Sequence, residues 1–460
     1  MLERDRGTPG RLGLRGQDEG ESSMMYRLRD VPAMLASPGG RTQVMGGLLF
    51  RSWPLVSRLA ALYRRTVVRR TRIVVVVGSF GKSTTTRAVA AALRVPEHAA
   101  MLNNAFTAVA LALLRVGRSQ PRAVIEVGIA ERGQMARYAR MIRPDVAVVT
   151  SVGSEHAPKI GTLDDIRDEK SRMVRALPAA GVAVLNGDDP RVMWMAGETH
   201  ARVVTYGFGA ACDVRASDLR LDWPDGSRFR VSVFGRERDV AVRFVGRHMM
   251  YPALAAIAVS QIEGLDLDET LTLLQSAPPA PGRMQPFALA GGVILLRDEF
   301  KSTLETMHAA LDAFAEVPAQ RRLVLFGDVT EPPADRIPVY EELGARVAAI
   351  AAHLVVTGRG LQDYAAGAMR AGMPAAAIHD GGNGPRQAAA ALRALLQPGD
   401  VVLVKGRKGQ ALDRVRLILQ GDRVECDVGL CDVGLPCVRC PVLAAGWGAR
   451  RMVLRRGLTP

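Results

Sequence analysis

Lys82, Ser83 and Thr84 follow two glycines at the end of a run of four valines, in VVVVGSFGKSTTTRAVAAAL, residues 74 to 93. A lysine beside two hydroxyls in such a place suits the capture of a phosphate. Gly78 and Gly81 let backbone N–H groups close around an anion, and the N-terminus of the following helix adds positive partial charge. Lys82 neutralises phosphate oxygens, and Ser83 or Thr84 holds Mg²⁺. The run reads G-x-x-G-K-S-T, with Val74 where the general G-x-x-x-x-G-K-[ST] loop carries its first glycine, so it is a shortened variant. The expected ligand is a nucleotide with Mg²⁺.

Three further residues have types suited to the same chemistry. Glu126 ends the apolar run AVIEVG, and a buried acid is costly unless it meets a cation or a hydrogen-bond network. A metal beside a nucleotide supplies that cation; a helix cap or a core salt bridge is the plainer alternative. His156 and Lys170 lie in SEHAPKIGTLDDIRDEK, which follows DVAVVTSVG. Taken singly, His156 reads as a surface loop residue and Lys170 as a solvated helix cation.

Four of the five cysteines crowd near the C-terminus, Cys426, Cys431, Cys437 and Cys440, spaced C-x4-C-x5-C-x2-C. The C-x-x-C pair offers a half-site for tetrahedral Zn²⁺, and the tandem CDVGL-CDVGL offers a reading as a small duplication without metal. Cys212, alone, reads as a buried or bystander thiol.

These residues need elements that hold them. From residue 72 the sequence alternates strand-like runs (RIVVVVGS, AVIEVG, DVAVVTSVG, GVAVLNGDD, RVVTYG) with helical stretches, the pattern of a parallel sheet covered by helices. Residues 212 to 245 read as an antiparallel excursion. A second series, from GGVILLRDEF to DVVLVKGRKG, reads as a smaller dinucleotide-fold-like domain. The expected fold is α/β: a P-loop ATPase domain over 73–285 and a Rossmann-like domain over 286–424. Residues 1–40 are read as disordered, 41–72 as a basic amphipathic segment and 425–460 as a Cys-rich tail.

Within 41–72, leucines, Phe50, Trp53 and Tyr63 interleave with arginines, and Pro54 starts or interrupts a helix whose apolar face includes Leu55, Leu59 and Leu62. Such a helix lies on an anionic membrane or packs onto its own domain. The formal charge of +15 favours anionic partners, although arginine is spread along the whole chain and no nucleic-acid module is recognisable. The first forty residues carry charge throughout and no apolar core, so the expected location is the cytoplasm, with a peripheral membrane contact through 41–72 as the second option.

The order GSFGKSTTT, LNNAFTAVALALL, IEVGIAERGQM, RPDVAVVTSVGSEH with EK fourteen residues after the histidine, VLNGDDP, PGRMQ, LRDEF…TMHAAL, LVLFGDVTE and LVKGRKG resembles the Mur ligase family, and within it the D-alanyl-D-alanine-adding branch. The resemblance covers roughly residues 72 to 420. It implies an ADP-forming ligase: ATP phosphorylates a carboxylate, and an amine attacks the acyl phosphate to give an amide in cell-wall precursor synthesis. It further implies Mg²⁺ on Ser83 or Thr84, a second Mg²⁺ on Glu126 and His156, and Lys170 as a carbamate. Arg283 would reach the ATP phosphates, Asp298 the ribose, and Lys405 and Arg407 the carboxylate of the amine substrate.

Two departures are visible. The family's D-x-Y-N-x-N-P reads Asp298-Glu-Phe-Lys-Ser-Thr-Leu and its G-x-H-N-x-x-N reads Gly246-Arg-His-Met-Met-Tyr-Pro, so Lys301, Met249 and Pro252 replace asparagines. The family's domain for the uridine nucleotide is also not recognisable, and the basic segment stands in its place. The resemblance leaves two other readings: a Mur-type amino-acid ligase on a lipid-linked or polymeric acceptor, and a non-catalytic nucleotide-binding partner protein.

Overall fold

Ile73 to Val77 are five β-branched residues in succession, a composition that favours an extended segment buried on both faces. The computed structural model describes residues 31–35, 38–97, 104–431, 436–440, 443, 444 and 446, and in it these five residues are fully buried in strand β1 (Arg72–Val77). Alternation of side chains divides them between two layers. Val74 and Val76 join one core with Ala88 and Val89, whereas Ile73, Val75 and Val77 join the other with Val109 and Tyr138. Each buried aliphatic side chain contributes about 1.5–3 kcal/mol, which makes β1 the keel of the sheet.

The first sheet has eight strands in the order β2-β1-β3-β4-β5-β6-β7-β8, with β2 (Arg122–Glu126), β3 (Val146–Val149), β4 (Val182–Asn186), β5 (Arg202–Gly207), β6 (Val214–Asp222), β7 (Gly226–Val233) and β8 (Arg236–Val242). Strands β1 to β6 are parallel; β7 and β8 turn antiparallel and extend the same sheet. The second sheet runs β13-β12-β11-β14-β10-β9, with β9 (Gln285–Ala288), β10 (Ile294–Asp298), β11 (Arg321–Phe326), β12 (His353–Val356), β13 (Ile378–Asp380) and β14 (Asp400–Lys405). Only β9 is antiparallel there, at the edge, where Pro286 removes no interior ladder bond. Its four residues were not expected as a strand.

Helices α1 (Val31–Leu35), α2 (Pro38–Arg51) and α3 (Trp53–Thr66) precede β1, so helix begins ahead of residue 41 and part of the segment read as disordered is helical. Residues 1–30 and much of the tail lie outside the described residues. The inner face of α3 places Trp53, Val56, Ala60 and Tyr63 against the core shared with α5 (Thr107–Leu114) and α6 (Gln134–Ile142). Arg64, buried, donates to the carbonyls of Val68, Thr71, Ile142 and Arg143 and pairs with Asp145 at 3.0 Å. The outer face leaves Leu55, Leu59 and Leu62 at 62%, 49% and 58% exposure. Both readings of this segment therefore have a face: one packs, the other is bare.

Candidate active site

The site begins where β1 ends. Gly78 has φ +149°, and a Cβ there would fall 1.9 Å from Thr150 Oγ1, so no other residue fits the turn. Gly81 (φ +81°) precedes helix α4 (Lys82–Ala92), whose N-terminus therefore faces the loop. The neighbouring strand end holds the loop in shape: Phe80 N donates to Ser151 Oγ at 3.0 Å, Thr150 Oγ1 to Phe80 O at 2.6 Å, and Ser79 Oγ bonds both the amide and the carbonyl of Gly153.

Lys82 folds back over this loop. Its Nζ donates to Gly78 O and Ser79 O, both at 2.8 Å, and lies 3.4 Å from Glu155 Oε2. Ser83 Oγ donates to Glu126 Oε1 at 3.2 Å, and Asn104 Nδ2 donates to the same oxygen at 2.6 Å. Glu126 Oε2 is buried, with no partner among the described residues. Burial raises the Glu126 pKa above the ordinary value, against the pull of Lys82, Asn104, Ser83 and Arg283. Arg283 reaches Ser83 Oγ at 3.5 Å and stacks over Phe300. An orphaned carboxylate oxygen beside a serine hydroxyl on a phosphate-type loop fits a divalent cation. Of the two hydroxyls considered for it, Ser83 meets Glu126, while Thr84 lines the adjoining cleft.

Lys170, on the helix Leu163–Arg175, is also buried, with Nζ 3.1 Å from Gly78 O. Burial and the neighbouring Lys82 bring its pKa down to about 7, so a large fraction is uncharged amine near neutrality. His156 (φ +66°) is placed differently from its expectation. Its ring nitrogens lie 3.7 Å from Glu155 and 3.5 Å from Glu331, and no contact joins it to Glu126 among the described residues.

The second sheet closes over the first at this point. Lys301 Nζ lies 2.5 Å from Glu155 Oε1 and 2.9 Å from Ser79 O; Ser154 N donates to Glu305 Oε1 at 2.8 Å; His156 N donates to Glu331 Oε2 at 2.7 Å. Burial raises Glu155, but Lys82, Lys301 and His156 outweigh it and hold the carboxyl well below the usual range. Between the sheets lies a cleft of ≈ 220 Å³ lined by Gly81, Thr84, Asn186, His248, Met249 and Pro252 among others. Burial takes His248 down to about 4, so its ring is neutral at physiological pH.

Asp298 also lines this cleft, but it is paired. Its Oδ2 is 2.5 Å from Lys405 Nζ, and Lys405 also donates to Lys301 O at 2.7 Å. Lys405 is thus a buried partner of Asp298, in correction of its expected place against the carboxylate of an amine substrate. The cause is register: Asp298 and Lys405 are direct neighbours across β10 and β14. Arg407 is partly exposed, and its guanidinium has no hydrogen bond or ion pair among the described residues.

The cysteine expectation is corrected as well. None of the five cysteines is joined in a disulfide among the described residues, and no group of three or more His, Cys, Asp or Glu among those residues is placed to hold a metal. Cys426 and Val428 instead pack with Cys431, Cys440 and Leu443, and buried Arg414 donates to Cys426 O, Cys426 Sγ and Val428 O. Burial and Asp413 push the Cys437 thiol above its ordinary value. Cys212 is partly exposed, 3.1 Å through its amide from Gly209 O.

Asn104, Glu155, Glu305 and Glu331 were not singled out in the sequence. Asn104, Glu155 and Glu331 lie inside quoted motifs, LNNAF, SEH and LVLFGDVTE, whereas Glu305 falls in the unquoted gap of LRDEF…TMHAAL.

Residues 76–260 match the Mur ligase middle domain and residues 282–408 match the Mur ligase, glutamate ligase domain, together about two thirds of the chain. The chain belongs to the Mur ligase family. Curated relatives named UDP-N-acetylmuramoyl-tripeptide--D-alanyl-D-alanine ligase include the Mycobacterium tuberculosis protein, 29% identical over 85% of this chain and 83% of its own length. The Escherichia coli protein of the same name is 30% identical over 62% of this chain and 64% of its own length. Among solved structures, MurF from Acinetobacter baumannii superposes with a TM-score of 0.71 at 22% identity, covering 80% of each chain. MurF ligase from Thermotoga maritima in complex with ADP gives 0.70 at 21% identity, covering 80% of this chain and 83% of its own. The protein is accordingly an enzyme, an ATP-dependent ligase of the Mur type.

Proposed function

We propose that this ligase joins a dipeptide amine of the D-alanyl-D-alanine kind to the terminal carboxylate of a muramoyl-peptide precursor, forming an amide with release of ADP and phosphate. The observation that carries the reading is the convergence of Lys82, Ser83, Glu126, Lys170 and Arg283 on one phosphate-type loop, with one Glu126 oxygen unpartnered among the described residues. The relatives' names supply the substrate pair.

In this reading the γ-phosphoryl group passes from ATP to a substrate carboxylate oxygen, and the bond between γ-phosphorus and the bridging oxygen breaks. The amine then attacks the acyl carbon and phosphate leaves. Catalysis of such transfer is chiefly positioning and charge neutralisation. The α4 N-terminus and Lys82 hold the phosphates, and Arg283, at the junction of the two sheets, adds a second charge beside Ser83. Ser83 and Glu126 would hold Mg²⁺, which neutralises phosphate charge when bound. Lys170 offers an amine near half ionisation, the form that adds CO₂ to give a carbamate; the carbamate would supply a carboxylate next to Gly78. Asp298 stands at the cleft for the ribose side, and the Arg407 guanidinium, with no ion pair among the described residues, suits the carboxylate of the amine substrate.

The bare face of α3 supports one further element. Residues 31–72 contain no acidic residue, and Leu55, Leu59 and Leu62 lie exposed among Arg58, Arg65 and Arg69. This face suits peripheral contact with an anionic membrane, which would bring the ligase close to envelope precursors. No helix among the described residues is long and apolar enough to cross a membrane.

The test is phosphate release from MgATP in the presence of D-alanyl-D-alanine and a UDP-muramoyl tripeptide, with Lys82→Ala as control. Release that depends on both substrates and on Lys82 is expected. ATP turnover that is indifferent to either substrate would overturn the assignment of that substrate.

A further inference from the structure

Lys301 stands where the family pattern carries an asparagine, and it duplicates the ligation of the loop lysine. Lys82 binds Ser79 O at 2.8 Å and Glu155 at 3.4 Å; Lys301 binds the same carbonyl at 2.9 Å and the other oxygen of the same carboxylate at 2.5 Å. Two buried ammonium groups thus share one carbonyl and one carboxylate, one arriving from each half of the molecule. Like charges so close are unfavourable unless further negative charge belongs there. Lys170 and Arg283 add to the excess, each coupled electrostatically to members of this cluster. The carboxylates that oppose them are, among the described residues, Glu155 and Glu126, with Asp298 beside Arg283 and Glu169 beside Lys170; Asp298 is already paired with Lys405, Glu169 with Arg172, and burial pushes Glu126 toward its neutral form.

The backbone that carries Lys301 is braced. Lys405, neutralised by Asp298, donates to Lys301 O at 2.7 Å; Ser302 Oγ donates to Asp328 O at 2.8 Å, and Thr330 N donates to Ser302 O at 2.8 Å. A flexible lysine on a fixed loop, aimed at a phosphate-binding turn, is arranged to deliver charge rather than to decorate a surface.

We propose that Lys301 is a second phosphate-binding lysine, carried to the γ-phosphate by closure of the C-terminal half, with Lys405 and Asp298 as positioning residues. The proposal rests on the ligase reading above. Lys301 meets the γ-phosphoryl oxygens as the bridging bond breaks, and its contact with Glu155 holds the closed form until nucleotide replaces that partner. The site then reads the number of phosphates: a triphosphate engages both lysines, a diphosphate only the loop lysine.

Calorimetric titration with a non-hydrolysable ATP analogue and with ADP separates this role from a simple interdomain tie. Lys301→Asn, the family's own residue, is expected to weaken the ATP analogue about tenfold or more, the scale of one charge-assisted hydrogen bond, and ADP by less than about threefold. Lys301→Arg is expected to retain the preference for the triphosphate, which guards against a folding artefact in the first variant. Equal weakening of both nucleotides, or none, overturns the role and leaves Lys301 a latch. An unaltered chain that binds neither nucleotide, tested beside Lys82→Ala, overturns the ligase reading together with the proposal.

Discussion

Replacing Lys405 by methionine separates a structural role from a substrate-binding one. The side chain is 1% exposed, its ammonium is 2.5 Å from Asp298 Oδ2, and its only other acceptor among the described residues is Lys301 O. Methionine fills similar volume but removes the charge. Asp298 then keeps one donor, Met284 N at 3.2 Å, and the Lys301 carbonyl loses its own. Breaking one side of a buried ion pair costs about 3–5 kcal/mol, because a desolvated carboxylate is left uncompensated. Hydrogen exchange of the β10, β11 and β14 amides reads this locally, without assuming that both halves unfold together. A cost of that size accelerates their exchange by about 10²- to 10⁴-fold. Adding Asp298→Leu removes the orphaned charge, and exchange should return to within about tenfold of the original. If Lys405→Met instead leaves protection within about threefold and raises only the KM for the amine substrate, then Lys405 faces substrate and the buried-pair argument is wrong.

Lys170 gives a pH signature. Its folded pKa is lowered to about 7 from 10.5, so between those values the unfolded chain binds more protons and stability rises with pH. Urea unfolding from pH 7 to 9.5 should show a slope steeper than that of Lys170→Met, approaching about 1.4 kcal/mol per pH unit; parallel curves refute the buried-amine assignment. Glu126→Gln should raise stability without metal by about 1 kcal/mol, since it removes a buried carboxylate with one oxygen lacking a partner among the described residues, and should abolish the extra stabilisation by Mg²⁺ with ADP. An unchanged Mg²⁺ effect moves the metal elsewhere. For the tail, EDTA should leave melting unaltered and dialysed protein should hold no stoichiometric zinc. One zinc per chain, lost on Cys437→Ser, overturns the packed-thiol description.

The parallel sheet was legible because valine-rich runs alternate with helical stretches at regular intervals, and a glycine turn after the first of them marks the phosphate end. Glu126, Lys82 and Ser83 followed from strand ends alone. Lys405 did not, because its partner is decided by which strand lies beside β14, and Asp298 is more than a hundred residues away in sequence. Glu155 was hidden by its neighbour: the histidine of SEH attracts notice, while the charge on the glutamate is set by Lys82 and Lys301 from opposite ends of the chain. In the tail, cysteine spacing suggested a ligand set, but spacing says nothing of Arg414 and Asp413, which lie beneath those thiols.

The entry helix α3 is a strut rather than an appendage. At one end Arg64 ties the base of β1 and β3; at the other Trp53 meets Phe106 and Tyr138 edge-on, and Phe106 lies two residues from Asn104, whose amide orients Glu126. A chain shortened to begin near residue 70 would therefore lose more than solubility. The Glu126 carboxylate would be left to rotate, and, with Glu126 in the proposed role of magnesium ligand, a defect in magnesium affinity would report damage done at the opposite end of the helix.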